Sequence, residues 1–501
     1  MSNYVKSSRF ICLLLCLLLS VCIFSGCKKD DAASSSKDQS AVTTSMENTE
    51  LVDQYKDKKH PTLPETKDLG GFEMLYASSN VKAILPEEGS SVEGDLILET
   101  LRITQDTYNC KINVVEVAYD GWGEAQAAIL SGEQYANVIM PCVWQSGAFL
   151  QSRLCADYLT TEISQYIDMS QPWWNDTMAY ASNVLGSVYA GASAIESPAD
   201  YTYVIFFNKS IAADIGLGET ELYDLWEKNE WNWDNFVKFA KLANKDLDGN
   251  GAVDTTNDRW GFVCPGYDCA QAFCSSAVVA SVTTDDGMNP VYTFNTPHAI
   301  TTLTKLNQLF TTDGIYCQES WNNELGTYEV MFKEGRALFY GRNLMRIYGT
   351  TFRGMEFDWG VLPIPIGPSE NGGWQQKYMS RVDHNFRLCI IPSTVEDKAS
   401  TALVLEHMTY EYYKIINEKI DTAATLYCRD DESVDVCNTI YNTSTFEISQ
   451  FLYSINNMGW NNSVETRIRD IVKTPAYDVS GAVNAPAELA QQMINDYFNG
   501  V

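Results

Sequence analysis

The chain has little basic charge. Lys and Arg total 35 against 65 Asp and Glu, a net charge of −30 over 501 residues. No basic run relieves this balance, so nucleic acid and anionic lipid are excluded as natural partners, and an uncharged or cationic ligand suits the surface. Histidine is scarce too, with four in all. His60 stands in a polar N-terminal stretch, which leaves little imidazole for a metal cluster. Cys264, Cys269 and Cys274 are spaced by five, which matches no zinc motif. No Gly-rich phosphate loop follows a strand, and neither G-x-S-x-G nor H-E-x-x-H occurs. Beyond the N-terminal segment no stretch approaches 18 apolar residues, so the remainder reads as soluble.

Lys6 and Arg9 precede an apolar run from Ile11 to Phe24, followed by Ser25-Gly26-Cys27. A basic start, a short apolar core and small residues before a cysteine read as a signal peptide over 1–26. The motif resembles a bacterial lipobox, which implies cleavage before Cys27 and lipidation of its thiol, although Phe24 stands where an aliphatic residue is usual. An uncleaved anchor helix and ordinary secretion are the alternatives. Residues 27–67 are polar, rich in Ser, Thr and charge, and without apolar periodicity, so they read as a disordered tether. Ten cysteines remain downstream of Cys27, and a domain this large does not need them as disulfides.

The folded part opens with a β-α-β-α-β pattern. Strands are expected at Phe72–Tyr76, Lys111–Val117 and Ala136–Met140, with helices over Leu96–Thr107 and Gly123–Leu130. That order predicts a parallel sheet covered by helices. Ligands of such sheets gather beyond the carboxyl ends of strands. This directs attention to Tyr119, Asp120 and Trp122, and then to Trp144 and Gln145.

The stretch from Ser187 to Ile215 organises the rest. A short apolar segment, small residues, Glu196 and Pro198 lead into the aromatic, β-branched run Tyr201–Phe207, after which Asn208 stops the strand and a helix begins. By pattern this is either one hairpin or a chain passing from one lobe to another. Further on, Asn232 caps a helix whose buried face is Phe236, Phe239, Ala240 and Ala243. Then Asp246, Asp248, Asn250, Gly251, Ala252 and Asp254 take positions one, three, five, six, seven and nine of a calcium loop. Position twelve is Asn257, with Asp258 beside it, so the loop is an incomplete EF-hand. An ion-free Asp/Gly turn is the alternative.

Tyr189-Ala190 followed, after a variable link, by Val204-Ile205-Phe206-Phe207-Asn208-Lys209 resembles the lobe-crossing segment of extracellular solute-binding proteins. These are the sugar-capturing lipoproteins of ABC importers, of the maltose-binding-protein-like class. The resemblance runs from about Phe72 to the C-terminus. It includes Pro172-Trp173-Trp174, the Asp/Gly-rich insert, and Met331–Tyr340, which is similar to a helix–Gly–strand element that presents the next residues of the chain to a cleft. It implies a two-lobed α/β fold of the periplasmic-binding-protein type II, hinged about that cleft. Lobe 1 is expected over 68–197 and 365–410, and lobe 2 over 198–364 and 411–501. Crossings are expected at Glu196–Tyr201 and Leu362–Gly367. The implied ligand-binding residues are Trp144, Gln145, Glu196, Arg342, Asn343, Trp374, Arg381, Asp383 and His384, with Trp460 as a further platform. Asp246, Asp248, Asn250, the Ala252 carbonyl and Asp254 would hold a structural calcium ion. Aromatic faces match the C–H faces of sugar rings, and planar polar groups bind hydroxyls. The implied function is capture of an oligosaccharide or other neutral sugar, without turnover, by a monomer lipid-anchored outside the cell membrane. Its protein partners would be the membrane permease subunits of an ABC importer. A secreted glycoside hydrolase and a glycan-sensing surface protein are the alternatives.

Overall fold

The computed structural model describes residues 58–499 apart from 176–182, 185, 256, 286–288, 318–326, 348–351, 353, 417–425, 427, 429 and 454–458. The expected signal peptide, Cys27 and most of the expected tether lie outside the described residues.

The expected β-α-β-α-β run forms β1 (Phe72–Ser78), α1 (Val92–Tyr108), β2 (Cys110–Glu116), α2 (Trp122–Leu130) and β3 (Val138–Met140). Ser91 caps α1 by accepting from the Gly94 amide. Asn109 ends it in the left-handed region (φ 47°), which reverses the chain directly into β2. The sheet order is β2-β1-β3, and both neighbours run parallel to β1, with Tyr76 opposite Val114 on one side and Val138 on the other. Then comes α3 (Val143–Gln151), whose first turn carries Trp144 and Gln145.

Ser187–Val188 pairs with Asn183–Val184 rather than with the later strand, so the crossing stretch is not one hairpin. The chain passes through a short turn at Pro198–Tyr201 into β4 (Tyr203–Asn208) and α4 (Lys209–Asp214). Asn208 stops the strand as its sequence suggests, because its side chain accepts from the Ile211 amide at 3.0 Å and caps α4. The second body contains α5 (Trp233–Ala243), β5 (Trp260–Val263), α6 (Gly266–Ser276), α7 (Pro297–Thr311), α8 (Thr327–Lys333), β6 (Ala337–Asn343) and β7 (Trp359–Pro363). Its sheet order is β7-β4-β6-β5. β4 is antiparallel to both of its neighbours, while β6 and β5 are parallel. Every residue of β4 is buried, which explains its unbroken apolar run. Phe206 packs edge-on against Phe352 and Trp359. Gly335 (φ 70°) turns α8 into β6 without a Cβ clash.

The expected return at Leu362–Gly367 is displaced. Ile366 bridges Asn232, and the Gly367 amide donates to the Ser276 carbonyl, so this stretch stays with the second body. β8 (Ser380–Arg381) stays there as well, paired in parallel with β9 (Ser444–Thr445). The chain re-enters the first body only after Arg381, where Val382 bridges Thr202, Arg387 bridges Cys142 and Ile390 bridges Ile139. Residues 365–381 therefore lie with lobe 2. The ladder of β7 ends at Pro363, still paired with Val204, but the end of a ladder does not carry the chain out of its layer.

In lobe 1, α9 (Lys398–Lys414) packs against α1 and β1. It reads as amphipathic in sequence, yet Ser400–Tyr413 is buried on all sides, including Glu406, His407 and Glu411. The reason is the end of the expected tether. Residues 58–67 do not hang free but lie over this helix. The His60 ring sits edge-on between Trp173 and Tyr410, Leu63 packs on Tyr108 and Leu403, and the Tyr410 hydroxyl donates to the Lys58 carbonyl.

Near the end of the chain, α10 (Ala487–Phe498) touches both lobes. Gln491 accepts from the Tyr292 amide, and the Tyr497 hydroxyl donates to the Gly147 carbonyl in α3. The two α/β bodies joined in this way are the two-lobed, hinged type II fold. No helix among the described residues is long and apolar enough to cross a membrane.

Candidate functional site

The crossing is a short ladder between lobes. The Asp383 amide donates to the Tyr201 carbonyl, and the Leu344 amide to the Thr202 carbonyl. This brings the end of β6 and the segment after β8 to one place. Asn343 reaches the Asp383 carboxylate at 3.5 Å. Arg342 donates to the Tyr203 hydroxyl at 3.0 Å. His384 stands 3.8 Å from Asp383 and 3.9 Å from Asp268. Burial pushes the Asp383 carboxyl up, but His384, Arg342 and the Asn385 amide outweigh it, so Asp383 stays below the usual carboxylate range.

Lobe 1 supplies the facing wall. The Trp144 indole donates to the Tyr119 hydroxyl at 3.2 Å, the Gln145 amide side chain donates to the Tyr119 carbonyl at 2.7 Å, and Tyr119 in turn bonds Asn385. Glu196 belongs to a buried group with Arg387 at 3.0 Å, Tyr201 at 2.8 Å and Asn80 at 2.7 Å. All three bonds fall on one oxygen, so Glu196 holds the crossing together while its second oxygen, buried, has no partner among the described residues.

Arg381 lies deeper, fully buried, with Glu447 at 3.9 Å as its nearest carboxylate. None of its three guanidinium nitrogens has a hydrogen-bond partner among the described residues. Glu465 accepts from Tyr267 and from Gln271, which also reaches Tyr453.

Two expected platforms fall outside this cluster. Trp374 sits in a small turn opposite Pro368, with the Lys305 ammonium of α7 5.3 Å over its ring. That is the consequence of the later crossing, since residue 374 has not yet left lobe 2. Trp460 is 1% exposed and packs in the core, so it offers no face to a ligand. Sequence reasoning also passed over Asp268, Asn385 and Arg387. Asp268 lies just past β5, and the attention given to residues after strands in lobe 1 finds it when applied to lobe 2 as well.

In the Asp/Gly-rich loop, carboxylate oxygens of Asp246, Asp248 and Asp258 lie within 4.8 Å of one another. Asp246 accepts from the Gly249 and Gly251 amides, at glycines with φ of 75° and 90°. Asp258 accepts from the Leu247 and Asp254 amides, and these bonds hold its carboxyl below the usual range. Hard, closely spaced oxygens of this kind suit calcium. Asp258 stands with Asp246 and Asp248 where Asp254 was expected, while the Asn250 side chain accepts from the Ala252 amide.

A hinged α/β fold with a polar and aromatic cleft at its crossing is the architecture of a binding protein that closes on its ligand. The family of bacterial extracellular solute-binding proteins matches residues 95–379, and the chain belongs to it. No curated protein matches the chain. Among solved structures, the cyclic alpha-maltosyl-1,6-maltose binding protein of Arthrobacter globiformis is similar at TM-score 0.58 and 11% identity, over 85% of this chain and all of that one. UspC of M. tuberculosis is similar at TM-score 0.54 and 14% identity, over 84% of this chain and 100% of its own. Maltose-bound MalE3 of T. maritima is similar at TM-score 0.52 and 13% identity, over 84% and 99%.

Proposed function

We propose that this protein captures an oligosaccharide between its lobes and hands it, unchanged, to the permease of an ABC importer. The family match over 95–379 carries the reading. Several structural neighbours are named as binding maltose, maltotriose, maltotetraose or cyclic maltosyl sugars. The cleft adds aromatic faces at Tyr119 and Trp144 beside the planar polar groups of Asn343, Asp383 and Asn385. A ligand that binds only the folded state raises its melting temperature, so a thermal-shift series with maltooligosaccharides is the first test. Trp144→Ala should then weaken binding of the stabilising sugar by roughly tenfold or more, as loss of an aromatic anchor does. A flat response to every glycan sinks the reading, and accumulating product turns it into a hydrolase.

The protein acts as a monomer on the outer face of the cell membrane, held there by a lipid on Cys27. The basic start, apolar run and Ser25-Gly26-Cys27 support this. Cys27→Ala should release the protein from the membrane or leave its precursor uncut. Normal processing and retention of that variant would show the anchor to be elsewhere.

Calcium is structural in this reading, held by Asp246, Asp248 and Asp258 with help from Asn250, the Ala252 carbonyl and Asp254. An ion at a hundred times its Kd stabilises the folded state by about 2.7 kcal/mol. Chelator should lower the melting temperature accordingly, and Asp248→Ala should melt like the chelated wild type. Indifference to chelator rules calcium out.

A further inference from the structure

We propose that Asp268 is a ligand-facing carboxylate of the cleft and that it selects a sugar carrying a protonated amine over the same sugar with that amine acylated. This rests on the carbohydrate reading above. The other carboxylates nearby are spoken for. Glu196 is charge-paired with Arg387 at 3.0 Å and only 4% exposed, so its unpartnered second oxygen is out of a ligand's reach. Asp383 receives the amide and side chain of Asn385 at 2.8 and 2.7 Å. Glu447 faces Arg381 and accepts from Ser449. Glu465 takes the Tyr267 hydroxyl and the Gln271 amide, with Arg469 lying 4.4 Å over the Tyr267 ring. Asp268 has no hydrogen-bond donor among the described residues. The His384 ring stands 3.9 Å away, beyond bonding distance and shared with Asp383.

The Asp268 side chain is 24% exposed, enough for a ligand to reach. Burial nevertheless raises its pKa, with the Asp383 charge adding to the rise, although His384, Arg342 and Arg381 act against it. Its negative charge is therefore poorly compensated by the protein, and a cation brought by the ligand relieves that.

A second observation points the same way. Gln271 Oε1 and Asn343 Oδ1 are buried acceptors without a donor, in side chains 2% and 5% exposed. Gln271 follows Asp268 by three residues on α6 and so shares its helix face. Asn343 spends its amide on Asp383 and keeps its oxygen free. An ammonium group has three donors and no acceptor, which fits a carboxylate with unfilled acceptors on the same helix face and at the end of β6. His384 Nδ1 is unpartnered as well and lies between Asp268 and Asp383; the guanidinium nitrogens nearby without a partner are those of Arg381, beside Glu447, and Arg342 Nε, whose group acts on Asp383 as well as on Asp268. Charge is already matched at both. The first turn of α6 offers some compensation to Asp268 through the helix dipole, but that is a fraction of a unit charge.

The experiment is calorimetry at about pH 6, where a sugar amine is protonated. The probes are the β-1,4-linked glucosamine trimer, its fully N-acetylated counterpart, and maltotriose. The amine trimer should bind on the order of tenfold tighter than the acetylated one, the size expected of a charge-assisted hydrogen bond. High salt should narrow that gap. Asp268→Asn should abolish the preference while retaining the acetylated trimer. Should Asp268→Asn fail to fold, the wild-type ratio and its salt dependence decide the matter alone. Equal binding of the two trimers overturns the proposal and leaves the carbohydrate reading intact, as does binding of maltotriose without the amine. Binding of none of the three overturns the proposal, and the thermal-shift series over other glycans then decides the carbohydrate reading.

Discussion

Glu406→Ala should be among the most destabilising single changes in this protein, by roughly 3–5 kcal/mol, the range for removing one member of a buried charge-bonded group. Its carboxylate is fully buried and accepts three donors. The Trp173 indole donates at 2.7 Å, the Trp174 indole at 2.5 Å, and the His60 ring lies 3.1 Å away. Alanine leaves two indole N–H groups and an imidazole facing a void. Glu406→Gln should recover part of the loss, since one amide oxygen still accepts. The effect has a second readout. His60 is the pin that holds residues 58–67 on lobe 1, so Glu406→Ala should expose that segment to proteolysis well below the melting transition. A variant with wild-type melting and an uncut N-terminal segment would falsify the account.

Acid should unfold the protein through His407. Burial lowers its pKa from 6.5 to about 3, with the charges of His60 and Lys414 acting in the same direction. Its ring faces the Thr104 hydroxyl at 3.0 Å on one side and Glu411 at 3.9 Å on the other, with Tyr108 edge-on. The folded state keeps this ring neutral, while the unfolded chain protonates it below its ordinary pKa. The resulting stability is complete above about pH 6.5 and declines as the pH falls toward 3, by as much as roughly 4–5 kcal/mol over that span. Denaturant midpoints measured across this range should fall steeply for wild type and less steeply for His407→Asn. Asp383, held low by its partners, adds a slope of the same sign in both proteins. Only the difference between the two profiles reports on His407, and parallel profiles would refute the assignment.

Local signals carried the elements well. Asn208 and Asn232 act as caps, Gly335 makes its turn, and the strands of the first sheet appear within a few residues of their apolar runs. What the sequence hid was long-range partnership. Pro172-Trp173-Trp174 is visible as a motif, yet the reason for two adjacent indoles is one carboxylate 233 residues from the first of them. His60 read as tether because it is flanked by charge, and nothing nearby announces Glu406. Trp374 and Trp460 illustrate a different limit. A tryptophan beside a turn looks the same whether it stacks on a ligand, shelters under Lys305 or fills the core. Exposure depends on which lobe the chain is traversing, and the resemblance set the return crossing at Leu362–Gly367, earlier than the chain makes it.

The late return of the chain bears on how the protein comes to be folded at all. Ile390 bridges Ile139, Cys389 bridges Gly191 and Arg387 bridges Cys142. The first sheet thus lacks its neighbour along β3 until most of the chain has been made. Glu406, which Trp173 and Trp174 need, arrives later still. An N-terminal fragment emerging from a ribosome lacks these partners for lobe 1, and its apolar β3 edge stays open in the meantime. Closing loops of this length is slow. The same connectivity that lets two lobes hinge about a ligand therefore leaves lobe 1 incomplete until the chain has been made past Glu406.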